Sequence, residues 1–278
     1  MQTLINHRWL LLFGSFIIAT VGGLTAYADT NSTYQPISHQ PATNYYTKIR
    51  SSSHNYGIYR SGGYQTAADN RQPIAHTHQY LGKQIHIIQT ESVQHQTWLK
   101  FSYHHLTGWL PQKATDQTYH RLTVPLIAQR PELPTGCEIV ATTMLLNFAG
   151  DPVTKMQLAK QVPRSRNPNK GFVGSPYSPT GWYIYPKGLL KVVKHQLGTA
   201  KNMTGAKTAT LKHQLANNHP VVVWVYNVDG FVNHALTLSG YSKTRFYYND
   251  PWTNKKTSMA IKTMQWHRAH DGYRALSY

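Results

Sequence analysis

Hydrophobic and polar residues alternate over short runs in the first half of the chain, between Tyr45 and Thr115. Examples are the runs KQIHIIQT and TWLKFSY, and glycines separate such runs from one another. A period of two residues is typical of β-strands that bury one face. We therefore predict a small all-β barrel over residues 46–117, with a polar boundary at 113–120.

The pattern changes in residues 120–278. The stretch LTVPLIAQRPELPTGCEIVATTMLLNFAG runs from a short apolar strand through a proline-rich loop into a helix that stops at Gly150. Thr135, followed three positions later by Glu138, fits a capping box that places Gly136 and Cys137 in the first helical turn. Further helices are predicted at 153–161, 188–196 and 208–217.

Three strands are predicted after the last of these helices, in PVVVWVYN, HALTLSGYS and RFYYNDPW. Turn residues separate them, which favours an antiparallel sheet. The predicted fold class is therefore α+β: a helix that carries Cys137 packs on an antiparallel sheet, and a small all-β barrel precedes this domain.

The N-terminus has the features of an export signal. A basic pair is followed by an apolar run and by Ala26-Tyr27-Ala28, so we predict a signal peptide over residues 1–28. An uncleaved membrane anchor is the alternative. Residues 29–45 are rich in Ser, Thr, Asn, Gln and Pro and are predicted to be a flexible spacer. No other segment is long and apolar enough to span a membrane, so we expect no stable span after cleavage.

The net charge of the chain indicates a class of binding partner. Lys and Arg number 28 against 10 acidic residues, for a net charge of +18. Residues 121–278 carry 20 basic and 6 acidic residues, whereas residues 29–120 carry 7 and 4. This balance favours polyanions. For an exported protein we expect anionic cell-wall polymers rather than nucleic acid; a solubilising surface without a partner is the alternative.

Cys137 is the only cysteine in the chain, so no disulfide can form within it. A buried, inert cysteine is common. A position in the first turn of a helix instead favours the thiolate, because the N–H groups and the positive end of the helix dipole lie close to the sulfur. We interpret Cys137 as a candidate nucleophile that needs a base.

His234 is the best candidate for that base because it begins an apolar strand. The hairpin from HALTLSGYS to RFYYNDPW turns at residues 242–244, which brings Asp250 opposite His234. Asp250 can then orient the imidazole. The alternative role for Asp250 is to cap the turn that begins at Pro251.

A zinc site is the rival enzyme chemistry. Histidines at 76, 78, 104 and 105 are potential zinc ligands, but no zinc-ligand spacing such as H-E-x-x-H is present in the sequence. We therefore expect neither a metal nor an organic cofactor.

Residues 124–278 resemble the papain-like cysteine peptidases related to bacteriocin-leader-processing domains, in their stand-alone secreted branch. The motifs that carry the resemblance are AQRPELPTGCE, NHALTLSGY and NDPW. The resemblance implies Cys137 as nucleophile, His234 as base and Asp250 as its partner, with Gln129 in the oxyanion hole. It also implies peptide or peptidoglycan-type substrates. Leader-processing members usually have glycine where this chain has Glu138.

A long loop over residues 163–188 lies between two predicted helices and is rich in aromatic residues. Loops of this length inside a compact domain are usually functional. We predict that it forms a wall of the substrate cleft, with Phe172, Trp182 and Tyr183 as substrate-binding residues.

The N-terminal module resembles a bacterial Src-homology-3-like wall-binding domain of the Gly-Trp type. The resemblance is carried by NYGIY, QYLGKQIHI, TWLKF and TGWL. It implies wall binding through Trp98 and Trp109, whereas aromatic residues of a small barrel are more often core. The sequence as a whole predicts a secreted or wall-associated, monomeric cysteine peptidase or amide hydrolase. The alternative is a non-catalytic surface-binding protein that retains a peptidase-like fold.

Overall fold

The structure is a computed structural model that describes residues 38–39, 43–62, 72–93 and 95–278. The predicted signal peptide and the first part of the predicted spacer lie outside these ranges. Within them, no helix is both long and apolar enough to cross a membrane.

The described residues contain fourteen β-strands and five α-helices. The strands are β1 (Ser38–His39), β2 (Tyr45–Lys48), β3 (Gly57–Ile58), β4 (Ala75–His76), β5 (Gln84–Val93), β6 (Gln96–Tyr103), β7 (Leu106–Pro111), β8 (His120–Leu122), β9 (Lys201–Asn202), β10 (Val221–Val225), β11 (His234–Tyr241), β12 (Arg245–Asp250), β13 (Lys255–Ala260) and β14 (Ala275–Ser277). The helices are α1 (Cys137–Phe148), α2 (Lys155–Gln161), α3 (Pro186–Leu197), α4 (Thr208–Ala216) and α5 (Ile261–Ala269). Short 3-10 turns occupy Thr77–Tyr80 and Gln112–Ala114.

A large antiparallel sheet runs through both halves of the chain. Its main path is β7-β6-β5-β2-β8-β11-β10-β14-β9, and β12 and β13 extend from β11. Strand β2 pairs with both β5 and β8, and β8 pairs with β11. At the last junction a side chain on Gly240 would collide with the backbone of His120 and Arg121, so only glycine permits this approach.

The prediction of an all-β N-terminal half is confirmed by β2–β7, while closure of these strands into a barrel stays a prediction. The predicted spacer ends too late. Strand β1 pairs with β5, and Tyr45 is buried and aligned with Ile87 and Leu122. An aromatic side chain at position 45 has enough apolar area to join the core, in agreement with the alternating pattern that begins there.

Local sequence explains the helix boundaries. Helix α2 begins after Thr154, whose side chain forms a capping box with Gln157. Helix α3 has Pro186 in its first turn and ends at Gly198, which has a φ of 74°. The prediction of only strands in the last part of the chain is wrong, because residues 261–269 form α5.

Helix α1 packs on the centre of the sheet. Every residue of β10 and β11 is buried, and the Thr237 hydroxyl of β11 donates to the carbonyl of Ala141 in α1 at 2.9 Å. The predicted hairpin turn is present, since the N–H of Ser242 donates to the carbonyl of Arg245 at 2.8 Å. This packing brings the start of α1 and the start of β11 together.

Candidate active site

Cys137 is the first residue of α1 and is 7% exposed. The predicted capping box is wrong: Gly136 is the N-cap residue, and no side chain caps the helix. The Thr135 hydroxyl donates instead to the carbonyls of Ser175 and Ser178, at 3.2 and 2.9 Å. Thr135 therefore ties the start of the helix to the 163–188 loop.

The thiol lies in a more apolar setting than the sequence suggested. Burial, followed by the charge of the neighbouring Glu138, raises the pKa of Cys137 well above its usual value. A helix N-terminus acts in the opposite direction but does not prevail here. Ionisation of this thiol near neutral pH consequently requires a base beside it.

His234 and Asp250 are hydrogen-bonded, but Asp250 is not directly opposite His234 as the hairpin predicted, because the register pairs Thr237 with Asn249. Nε2 of His234 lies 2.9 Å from Oδ1 of Asp250, and His234 is 1% exposed. Phe231 stacks on the imidazole with ring centroids 5.4 Å apart. Because Asp250 occupies Nε2, Nδ1 is the ring nitrogen left to exchange a proton with a nucleophile.

Asp250 fills both roles that the sequence left open. Besides His234, its carboxylate accepts from the N–H of Trp252 at 2.9 Å and from the hydroxyl of Thr253 at 2.7 Å. Burial alone would raise the pKa of Asp250, but hydrogen bonds from His234, Asp229 and Thr253 hold it below its usual range. The carboxylate is therefore ionised, and the turn that it caps also fixes its position.

Asp229 is a further acid at this pair, and sequence reasoning missed it. Its Oδ2 lies 3.7 Å from Nε2 of His234. Burial, and then the contact with Asp250, raises the pKa of Asp229 to about 6. The motif NVDG before β11 was the signal available in the sequence, because it is typical of a turn. Asp229 has a φ of 54° in this turn.

Gln129 is held next to the other groups by its backbone. Its N–H donates to the carbonyl of Pro251 at 2.9 Å, which ties this loop to the turn that follows Asp250. The side chain is 2% exposed, and its Nε2 donates to the carbonyl of Pro134 at 3.0 Å. The second N–H of the amide is left for another acceptor, and Oε1 has no hydrogen-bond partner among the described residues.

A pocket of about 240 Å³ joins three of the four predicted catalytic residues. Gln129, Cys137 and His234 line it, and Asp250 stands behind His234. Trp182 and Tyr183 also line the pocket, and Trp182 is 65% exposed. The 163–188 loop is thus a wall of the pocket, while contact of these two rings with a substrate stays a prediction.

Phe172 requires a correction. Its side chain is fully buried and does not line the pocket. Its backbone instead forms an isolated bridge with Arg164, and its N–H donates to the carbonyl of Pro163 at 2.8 Å. Phe172 is a core residue of the loop because its ring has no polar group to keep it at the surface.

Glu138 is another group that sequence reasoning misplaced. The side chain is fully buried, and its Oε1 accepts from the N–H of Ile184 at 3.3 Å. The carbonyl of Ile184 accepts from Nε1 of Trp224 at 2.9 Å. Burial raises the pKa of Glu138 to about 8. This carboxyl therefore anchors the pocket wall at Ile184 and is largely protonated at neutral pH.

Among the residues that the structure describes, one group of side chains is close enough together to approach a metal ion. The ligand atoms of Asp229, His234 and Asp250 all lie within 4.8 Å of one another. Nε2 of His234 and both oxygens of Asp250 already have hydrogen-bond partners, including the hydroxyl of Thr253. A cation would have to displace these bonds, so the donor set fits a histidine–carboxylate pair better than a metal centre.

The two tryptophans predicted to bind cell wall differ in exposure. Trp109 is 7% exposed, and its N–H and carbonyl both pair with Tyr59. Trp98 is partly exposed, with its ring 5.8 Å from that of Tyr59. Trp109 is thus a buried residue, and only Trp98 remains a candidate contact for a wall polymer.

Comparison with known proteins identifies a family for each half of the chain. Residues 121–278 match the model of the Peptidase_C39 like family, which covers more than half of the chain, and the protein belongs to that family. Residues 38–116 match the GW (Gly-Tryp) dipeptide domain.

Two relatives illustrate the match. YvpB of Bacillus subtilis strain 168, described as uncharacterised, is 28% identical over 49% of this chain, and the chain spans 66% of that protein's length. A crystal structure of a C39-like peptidase candidate from Bacillus anthracis is 27% identical, with a TM-score of 0.53 over 56% of this chain and 94% of that one. The C-terminal half therefore has a C39-like fold with mixed helices and a large antiparallel sheet.

Proposed function

We propose that the protein is a thiol-dependent peptidase or amide hydrolase that acts at the bacterial cell surface. The observation that carries the proposal is the pocket where Cys137 and Gln129 meet His234, with Asp250 bonded to the far side of the imidazole. Membership of the peptidase-like family supports the class of reaction, and the GW domain supports wall association.

Each residue has one role in the proposed reaction. Nδ1 of His234 takes the proton of the Cys137 thiol as sulfur attacks the carbonyl carbon of the substrate, and Asp250 holds the imidazole in the required tautomer. The amide of Gln129 and the backbone N–H of Cys137 donate to the developing oxyanion. His234 then returns the proton to the leaving amine, and water releases the acyl group from sulfur.

A second function is favoured by one specific observation, the burial of the thiol. A cysteine that is 7% exposed and has a raised pKa is also what an inert structural residue shows. In that alternative, the protein binds the cell surface and retains the fold without turnover.

Turnover of defined peptides separates the two functions. The purified protein is incubated with a mixture of peptides and peptidoglycan stem peptides, and mass spectrometry records new termini. We expect cleavage by the wild type and by His213→Ala, a control at an exposed histidine outside the pocket, and none by His234→Ala. If folded wild-type protein cleaved none of the peptides, the non-catalytic alternative would replace the proposal.

A further inference from the structure

The positive charge of the molecule is concentrated in one segment of the C-terminal half. Residues 152–228 contain eleven Lys and Arg residues and no Asp or Glu. This segment includes α2, α3 and the loop between them. The pocket and the GW domain do not account for such a one-sided distribution.

Part of this charge lines a groove between α2 and α3. The groove has a volume of about 500 Å³, and its charged or titratable lining groups are Lys170, Lys187, Lys191 and His195. All four side chains are exposed. Among the described residues, no ion pair involves any of the three lysines, and no acid lines the groove. The groove therefore has a positive field that nothing in the described protein neutralises.

The first turn of α3 opposes the usual electrostatics of a helix. Lys187 lies near the positive end of the helix, where acidic residues are favoured, and the turn has no acid. Lys187 and Lys191 are also four residues apart on the same face, where like charges repel. An anion in the groove would relieve both conflicts, which points to a ligand rather than to stability as the reason for this pattern.

We propose that this groove binds the phosphodiester backbone of an anionic cell-wall polymer. Compact ammonium groups act as point charges for phosphate, and several of them in one groove suit a chain of repeated phosphates. No Phe, Tyr or Trp lines the groove, so it lacks the platforms on which bases of single-stranded nucleic acid stack. The proposal rests on the wall setting of the proposed function but does not depend on the catalytic residues.

The groove is adjacent to the pocket along the chain. Trp182 and Tyr183 line the pocket, whereas Lys187 and Gly188 line the groove, and Ile184 between them is anchored by Glu138. A polymer bound in the groove would hold wall material beside the pocket. The C-terminal half would then contribute to attachment, which the domain match alone would assign to the GW domain.

The test is binding of soluble poly(glycerol phosphate), which contains no amide bond to cleave. Affinity is measured for the full-length secreted protein and for the triple variant Lys170→Gln/Lys187→Gln/Lys191→Gln. The matched control, Lys243→Gln/Lys255→Gln/Lys262→Gln, removes the same charge from exposed lysines of the same half. We expect the groove variant to bind about tenfold more weakly or worse, with a smaller dependence on salt, and the control to change little.

Three results would overturn the proposal. Equal losses in both variants would show that net charge, and not the groove, attracts the polymer. No loss in either would place attachment elsewhere, and groove-dependent binding of single-stranded DNA as tight as that of the phosphate polymer would indicate a nucleic-acid site. Hydrolysis of a soluble peptide, measured on the same variants, reports separately on the proposed function.

Discussion

The two halves of the sheet differ in how they expose several of their polar and aromatic groups. In the C-terminal half, Gln129, Glu138 and His234 are buried around one small pocket. In the N-terminal half, several ring pairs are at least partly exposed, for example Tyr46 with His86 at 4.7 Å, although Tyr45 and His120 stack where both are buried. Buried polar groups favour chemistry at a single site, whereas exposed groups favour binding over a larger surface.

The largest expected effect falls on the pocket. Cys137→Ala removes the nucleophile, so we expect hydrolysis to fall by ~10³-fold or more, since only binding and the oxyanion hole remain. Thermal stability should change by about 1 kcal/mol or less, because the substitution removes a single sulfur atom. Peptide turnover and thermal unfolding check this. If Cys137→Ala were much less stable and the wild type itself showed little turnover, the results would support a structural role for the cysteine.

Gln129→Ala should produce the next largest effect. Loss of one oxyanion donor lowers kcat by about 10²–10³-fold, with a smaller change in KM. Steady-state kinetics on the best cleaved peptide measures both constants. An unchanged kcat would mean that the amide of Gln129 serves only its bond to Pro134.

Glu138→Gln should give an effect that depends on pH. The folded pKa of about 8 lies above the ordinary 4.5, so the folded state keeps a proton that the unfolded chain releases. This carboxyl therefore lowers stability as pH rises from about 4.5 to 8. Glutamine keeps an acceptor for the N–H of Ile184 without the charge, so we expect a higher melting temperature than the wild type at pH 8 and a smaller difference at pH 5.

The same variant has a second readout at the neighbouring thiol. Above pH 8 the ionised Glu138 opposes the Cys137 thiolate, so Glu138→Gln should be alkylated faster than the wild type at pH 9 and at the same rate at pH 6. A ratio that stays constant between these pH values would show that the carboxyl does not act on the thiol.

The smallest effects are expected from substitution of one tryptophan in each half. Trp182→Ala should raise KM by about threefold to tenfold and leave sedimentation with purified cell walls unchanged. Trp98→Ala should weaken wall sedimentation by a similar factor and leave turnover of a soluble peptide unchanged. If either substitution altered both properties, the assignment of Trp182 to the pocket and of Trp98 to wall attachment would fail.

Much of this arrangement could be predicted from the sequence, because short-range patterns define it. The period of β11 and β12 and the turn at residues 242–244 predict the hairpin, but a β-bulge between Leu238 and Gly240 shifts the register by one residue and so places His234 and Asp250 on the same face. The pairing of β8 with both halves joins strands distant in sequence, which periodicity does not reveal.

Predictions at single side chains failed where burial decided the outcome. Glu138 and Phe172 occupy positions typical of a cap and of a loop surface, yet both are fully buried. Helix α5 was missed because a basic segment with few apolar residues gives a weak helical pattern. Tertiary packing overrode the local signal in each of these cases.

The most direct test of the account is the rate at which iodoacetamide alkylates Cys137 at pH 7. The protein has one cysteine, so all label reports on this site. Burial makes an unassisted thiol slow here. We therefore predict that alkylation of the wild type and of the control His213→Ala is faster than that of His234→Ala by a factor on the order of 10². Equal, slow rates in all three folded proteins, with rapid labelling only after denaturation, would contradict the claim that Cys137 is an activated nucleophile.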